Sequence, residues 1–505
     1  MKKLLSLFST LLIGFTAITH ADPSDNPLPK LHVINNQFVD GQGRTVILHG
    51  LNEMNKQPPY TPSAIGFDER NIQFIADHGF NVVRLGVFWA GIQPTPGSYD
   101  TAYLNNIKQT ITLLAKHNIY TFVDFHQDSY STLHNGAGEP EWAALGVGPF
   151  TNFGFPANNF GGMKEKGQTV GPQVDEDYDY FWQNKSGNLG IGVQTLYTTM
   201  LSYTASYLKG TPGIIGYELM NEPFPGSDWR ACFPKLNVRA GCYTFEKQEL
   251  VPFTKRAIQA IRAADPDATI FYEPVVFTVM GAPTFIGDLH SQNLVFSFHN
   301  YDTLNKNLPF KDKYDMELPF KNAQNQLLIN HAAPLMSEFD AQTPTPKELA
   351  TLLDLADHYQ TSWTDWAYTN NPGYTFTKTA VAPSDPRVQG LVLDATKPLI
   401  NTNVNWTRLA ELTRPYPQAI AGKLLSYSYD TQNNTFTLLY AAKTITGKKI
   451  SESSVTTIYV PQLNYPNGYQ VKINGATVTS AKNSSQLTVK NNSDSLLVKI
   501  VVTTT

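Results

Sequence analysis

The chain has 505 residues, 41% of them hydrophobic and 12% aromatic, and a formal net charge of −4. That much apolar material supports a large core and speaks against a disordered chain. The weak acidity and the lack of any long basic run speak against nucleic acid, or a membrane held by charge alone, as the main partner.

The first element in chain order is an export signal. Lys2 and Lys3 precede a mostly apolar run from Leu4 to Ile18, and Thr19-His20-Ala21 offers a cleavage site before Asp22. The pattern predicts a signal peptide over residues 1–21 and a soluble mature protein, secreted or periplasmic. The alternative, an N-terminal anchor, would need about 20 apolar residues, more than this run supplies.

From about residue 45 to residue 412, β-branched apolar runs alternate with amphipathic stretches. The expected strands are Thr45–Leu51, Val82–Val87, Tyr120–Phe125, Ile214–Met220, Ile270–Glu273, Val295–His299, Pro334–Glu338 and Trp363–Tyr368. Leu104, Ile107, Ile111 and Leu114 share one helical face, as do Leu250, Phe253, Ala257, Ile258 and Ile261. Apolar strands joined by crossover helices predict an α/β fold, a (β/α)₈ TIM barrel over residues 22–414.

Two connections are unusually long. The one after Phe125 holds a stretch rich in Gly and Phe from Leu145 to Gly162, and the one after Met220 holds the chain's two cysteines, Cys232 and Cys242. In an exported protein these two are expected to form a disulfide, with free thiols as the alternative. Beyond Arg414-Pro415-Tyr416-Pro417 the helical period disappears and short β-rich runs take over, separated by Asn-rich turns. Residues 415–505 are therefore expected to form a small antiparallel β-sandwich packed directly against the barrel. Its tyrosines, with no cluster of tryptophans, favour bracing of the barrel over glycan binding.

Side chains at the C-terminal ends of barrel strands face the active site. Here those ends carry Arg84, His126-Gln127-Asp128, Asn221-Glu222-Pro223, Glu273, His299 and Tyr301, Glu338, and Trp363 with Trp366. Any one of them is explained by a cap, a loop start or a core position, but polar groups near one end of seven strands are not. Glu222 and Glu338 lie 338 − 222 = 116 residues apart, which places them on the fourth and seventh strands. Two carboxylates about 5–5.5 Å apart across a sugar linkage are what retaining glycoside hydrolysis requires. Glu222 is the expected general acid, then base. Glu338 is the expected nucleophile, oriented by Arg84 and Tyr301. Asn221 is placed for the sugar 2-hydroxyl, and Trp366 offers a flat apolar face for a sugar ring. No histidine pair has metal-ligand spacing, so no metal or other cofactor is expected.

The strings Gly50-Leu51-Asn52-Glu53-Met54-Asn55-Lys56, Asp124-Phe125-His126-Gln127-Asp128, Tyr217 to Pro223, and Ser337-Glu338-Phe339 resemble glycoside hydrolase family 5, and within it the endoglycoceramidases. The resemblance covers about residues 30–412 and extends to a C-terminal β-sandwich. It implies cleavage between oligosaccharide and ceramide in glycosphingolipids, at a membrane or micelle surface and with no obligate protein partner. By the same resemblance, Lys56, His126 and Asp128 would bind sugar hydroxyls, His299 and Tyr301 would support the catalytic pair, and Trp366 would form the sugar platform. Asp340 and Asn300 depart from the family pattern, at positions where Gly and an aromatic residue are usual. Ceramide needs an apolar surface, for which Leu145–Phe160 and Val275-Val276-Phe277 are the candidates. The alternatives are a cellulase or mannanase, or a sphingolipid exo-glucosidase, on the same scaffold. From other classes come a binding protein that has lost catalysis and adhesion through the sandwich; the intact glutamate pair argues against the first of these.

Overall fold

The computed structural model describes residues 28–134, 136–146, 172–301, 315–339, 346–369 and 390–505. The expected signal segment, most of the Gly- and Phe-rich loop and Asp340 lie outside these residues.

Three short strands come first: β1 (Leu31–Ile34), β2 (Gln37–Asp40) and β3 (Thr45–Val46). Eight parallel strands then close a barrel. They are β4 (His49–Glu53), β5 (Val82–Val87), β6 (Tyr120–Phe125), β7 (Ile214–Glu218), β8 (Thr269–Tyr272), β9 (Leu294–Asn300), β10 (Ala333–Phe339) and β11 (Ser362–Asp365). Every residue of β5 and β6 is buried, as expected of strands covered on both faces. The helix Thr101–Lys116 shows how the outer ring is built. The Asp100 side chain accepts the Tyr103 N–H at 2.9 Å and starts it, and Leu104, Ile107, Ile111 and Leu114 form its buried face.

The antiparallel domain follows as β12 (Tyr416–Ile420), β13 (Lys423–Asp430), β14 (Thr435–Ala441), β15 (Thr456–Tyr459), β16 (Tyr469–Asn474), β17 (Ala476–Val478), β18 (Gln486–Asn491) and β19 (Leu497–Thr504). Its two sheets run β1-β2-β3-β12-β15-β18-β17 and β13-β14-β19-β16. The sandwich thus takes strands from both ends of the described chain. Thr45–Leu51, expected as one barrel strand, is two elements in two sheets. β3 pairs with β12 through Val46 and Ala419, and only Ile47 and Leu48 separate it from β4, which enters the barrel. A continuous apolar run carries no mark of the point where the chain changes sheets.

The N-terminal strands also floor the barrel. Leu31, Val33, Phe38 and Val46 pack with Val82, Phe122, Phe271, Val295 and Leu335 in one buried cluster. The sandwich has its own core, which includes Tyr427, Tyr429, Tyr440, Tyr459, Tyr465 and Tyr469. At the junction the His49 ring is stacked between Trp363 at 4.3 Å and Tyr416 at 3.8 Å. The Tyr416 hydroxyl donates to the Gly79 carbonyl at 2.7 Å, and Arg414 pairs with Asp354 and Asp357 at 2.7 and 2.9 Å. Cys232 and Cys242 form the expected disulfide in the connection after β7.

Candidate active site

The site is organised around one buried cation. Arg84 lies mid-strand in β5, in register with Asn52 of β4, and is fully buried. Its Nε donates to Glu218 at 2.5 Å. Nη1 donates to Glu338 at 2.5 Å and to Asn52 at 3.0 Å. Nη2 donates to Asn221 at 2.8 Å and lies 3.2 Å from Asp124 and 3.3 Å from Glu273. Burying this guanidinium is tolerable only because fixed acceptors replace water around it.

Four carboxylates around one arginine leave surplus negative charge, which the surroundings reduce in two ways. Burial, with Glu273 and Asp124, pushes Glu218 up to about 8 against the pull of Arg84. His126 and His299 are both raised. Burial alone would lower each, but Asp124 and Asp128 lift His126 to about 9, and Glu273 and Glu338 raise His299 well above its usual value.

Glu338 is the next-to-last residue of β10 and is clamped from two sides. Arg84 holds Oε1, and the Tyr301 hydroxyl donates to Oε2 at 2.7 Å. Two donors on one carboxylate fix its orientation. Glu222 stands across the barrel mouth, just beyond β7. Its Oε1 lies 2.8 Å from His299 Nδ1, and its N–H donates to Glu273 at 3.0 Å. Its side chain is 26% exposed, against 6% for Glu338, so a ligand reaches it from solvent. Burial raises its pKa despite the pull of His299, and Glu338 adds to the rise. Glu222 has a φ of 44°, a left-handed conformation that costs a non-glycine residue about 1–3 kcal/mol and persists only where neighbours impose it.

The donor atoms of Glu222, His299 and Glu338 lie within 4.8 Å of one another. That spacing suits a metal, but the chemistry of the donors does not. Nδ1 of His299 is already engaged by Glu222 at 2.8 Å, and Glu338 is already held by Arg84 and Tyr301. The arrangement instead sets two unlike carboxyls face to face, one raised by burial and the other clamped by two donors.

Beside the pair lies a wall for a polar ligand. Lys56 Nζ sits 2.5 Å from Asp128 and 4.4 Å from the centre of the Trp366 ring. His126 bridges Asp124 at 2.7 Å and Asp128 at 3.0 Å, and stacks on Trp366 at 5.7 Å. The alternating charges hold each other at fixed positions, and Lys56 and His126 keep Asp128 well below the usual carboxylate range against the effect of burial.

All the expected site residues therefore meet: Lys56, Arg84, His126, Asp128, Asn221, Glu222, His299, Tyr301, Glu338 and Trp366. Trp363 does not join them, because it is fully buried against His49 at the opposite end of the barrel. Asn300 turns away from the pair and donates to the Met316 carbonyl at 2.9 Å. Val275-Val276-Phe277 is no apolar platform: Val275 and Phe277 are buried, and Phe277 packs on Phe233 and Phe224. The sequence reading gave no role to Asn52, Asp124, Glu218 or Gln127. A period-of-two count along β6 and β7, placing Asp124 and Glu218 on the inner face, is the signal that would have found two of them.

A closed eight-stranded parallel barrel with a polarised glutamate pair at the C-terminal ends of its fourth and seventh strands defines a glycoside hydrolase. Residues 39–372 match cellulase (glycosyl hydrolase family 5), and residues 414–502 match the glycoside hydrolase family 5 C-terminal domain. The chain belongs to glycosyl hydrolase family 5. It is similar to endoglycoceramidase I of Rhodococcus hoagii, at 29% identity over 92% of this chain and 86% of that one. It is also similar to endoglycoceramidase of Cyanea nozakii, at 28% identity over 92% and 91%. Among solved structures it superimposes on endo-glycoceramidase II from Rhodococcus sp. in its ganglioside GM3 complex. That match has a TM-score of 0.70 and 22% identity, covering 92% of this chain and 99% of that one.

Proposed function

We propose that the protein is an exported endo-glycosidase that hydrolyses the linkage between oligosaccharide and ceramide in glycosphingolipids, with retention of configuration. The observation that carries the mechanism is the pair of carboxyl oxygens, from Glu222 and Glu338, within 4.8 Å of each other. That is close enough for Glu338 to attack the anomeric carbon itself, without room for a water between. Glu338 displaces the ceramide oxygen and forms a glycosyl-enzyme ester. Glu222 gives its proton to that oxygen, then takes a proton from the water that releases the sugar. Lys56, His126 and Asp128 bind hydroxyls of the sugar, and Trp366 carries its apolar face.

The glycolipid reading is supported by two relatives bearing the endoglycoceramidase name along nine-tenths of this chain. Exposed Leu133, Leu236 and Tyr243, on the connections after β6 and β7, offer apolar surface on the active face for a membrane or micelle.

The test is a mass-spectrometric product assay on the mature protein, with a ganglioside in detergent micelles and cello-oligosaccharides in parallel. Ceramide together with an intact oligosaccharide is the expected result. Cleaved cello-oligosaccharide beside untouched ganglioside would overturn the substrate class.

A further inference from the structure

Gln127 lies immediately after His126, beyond the end of β6, and is 3% exposed. Its Nε2 donates to two successive carbonyls, Asn221 at 2.9 Å and Glu222 at 3.1 Å. Its Oε1 accepts from the Tyr130 N–H at 3.1 Å and the Tyr178 hydroxyl at 2.5 Å. Its own carbonyl accepts from Asn221 Nδ2 at 3.0 Å. A carboxamide has two N–H donors and two acceptor lone pairs, and here all four are used by the protein. Gln127 therefore has nothing left for a sugar hydroxyl. The pattern also settles its orientation, because a flipped amide would set N–H against N–H and oxygen against two carbonyls.

The held segment is unusual. Glu222 sits at a φ of 44°, so its carboxyl direction depends on what holds the flanking peptides. Gln127 grips both of them from the third strand. Gly138 backs it so closely that a Cβ there would lie 2.5 Å from the Gln127 Cβ.

We propose that Gln127 is the positioning residue for the proton carried by Glu222, with Tyr178 on the helix Pro172–Trp182 setting the orientation of Gln127 in turn. This rests on the reading of Glu222 as acid and base. Gln127 does not touch the reacting atoms; it fixes the turn from which the Glu222 side chain reaches the leaving oxygen. Gln127→Glu keeps the shape and replaces two donors by an oxygen that faces two carbonyls. Tyr178→Phe removes a single hydroxyl.

The experiment uses the full-length protein on phenyl and 2,4-dinitrophenyl β-lactosides and β-cellobiosides. A phenol leaves poorly without a proton, whereas dinitrophenolate needs none. For Gln127→Glu, kcat/KM should fall at least about tenfold on the phenyl glycoside and less than about threefold on the dinitrophenyl one. On the dinitrophenyl substrate kcat and KM should fall together, because the second step still needs the base. Tyr178→Phe should show the same ordering at smaller size, and it decides the matter if Gln127→Glu does not fold. Equal losses on both leaving groups would overturn the proposal, as would a raised KM at unchanged kcat. Cleavage of aryl glycosides without release of ceramide would instead refute the substrate class. A Glu222→Gln variant with no leaving-group dependence would refute the acid/base reading itself.

Discussion

Nδ1 of His299 lies 2.8 Å from Oε1 of Glu222, so an imidazole raised well above its usual value by Glu273 and Glu338, against its burial, faces the carboxyl proposed as the acid. The two influences oppose each other: burial raises Glu222, His299 lowers it, and burial wins. The general acid works only below its pKa, so activity is lost as pH rises through that value. In His299→Gln the positive charge is gone and the alkaline limb of kcat/KM should move up, by about one unit or more for a charge this close. A pH profile on a soluble aryl glycoside measures it, and an unmoved limb would show that His299 is not charged.

The two glutamates should fail differently. Glu338→Ser removes the attacking oxygen and should lower kcat at least about a thousandfold on every substrate while the circular dichroism spectrum is preserved. Glu222→Gln should keep most of its kcat/KM on a dinitrophenyl glycoside and lose it on the natural substrate. Equal loss on both would remove Glu222 from its role.

Lys56→Met keeps an apolar stem over Trp366 and deletes the charge that sits 2.5 Å from Asp128. KM for an oligosaccharide substrate should rise about tenfold or more, the cost of losing a charge-assisted hydrogen bond, with a smaller change in kcat. A fall in kcat at constant KM would place Lys56 in the chemistry instead.

Stability should peak on the acid side of neutrality. Glu218 and Asp357 titrate at about 8 and 7 in the folded protein, raised chiefly by burial. The folded state therefore binds more protons than the unfolded one, and stability falls as pH climbs from about 4 through those values. His126, raised to about 9 by Asp124 against its burial, acts in the same direction: its contribution is complete below about 6.5 and is lost through 9. Asp124 and Asp128 are depressed, so their contribution disappears as pH falls below about 4. Thermal melts across pH should show a maximum near about pH 5. Asp357→Asn should flatten part of the decline toward pH 7, and a maximum above pH 8 would contradict this account.

The barrel and the glutamate pair were legible because the signals that mark them are local. Val82–Val87 and Tyr120–Phe125 match the observed strands residue for residue, since a strand buried on both faces is mostly apolar and its few polar residues, Arg84 and Asp124 among them, do not break the run. The site residues were legible because polar groups at strand ends are conspicuous. What escaped was set by long-range geometry. β1 and β2 are too short to show a pattern, and they exist only because β3, β12 and the barrel floor receive them. Gln127 stood among the strand-end polar groups with no role of its own, because the carbonyls it holds lie 94 and 95 positions away in the chain. Trp363 was misplaced because a buried ring and a ligand platform are the same letter.

The sheet shared by β1–β3 and β12 has a consequence for how the molecule can be cut. A truncation ending at residue 414 removes β12 and strips β3 of a partner on one side, while Leu31, Val33 and Phe38 stay against the barrel floor. What is left carries an open sheet edge beside an uncovered apolar face, the combination that recruits other chains. Neither half is an independent cassette, and exchanging C-terminal modules between relatives requires carrying residues 31–46 along with them.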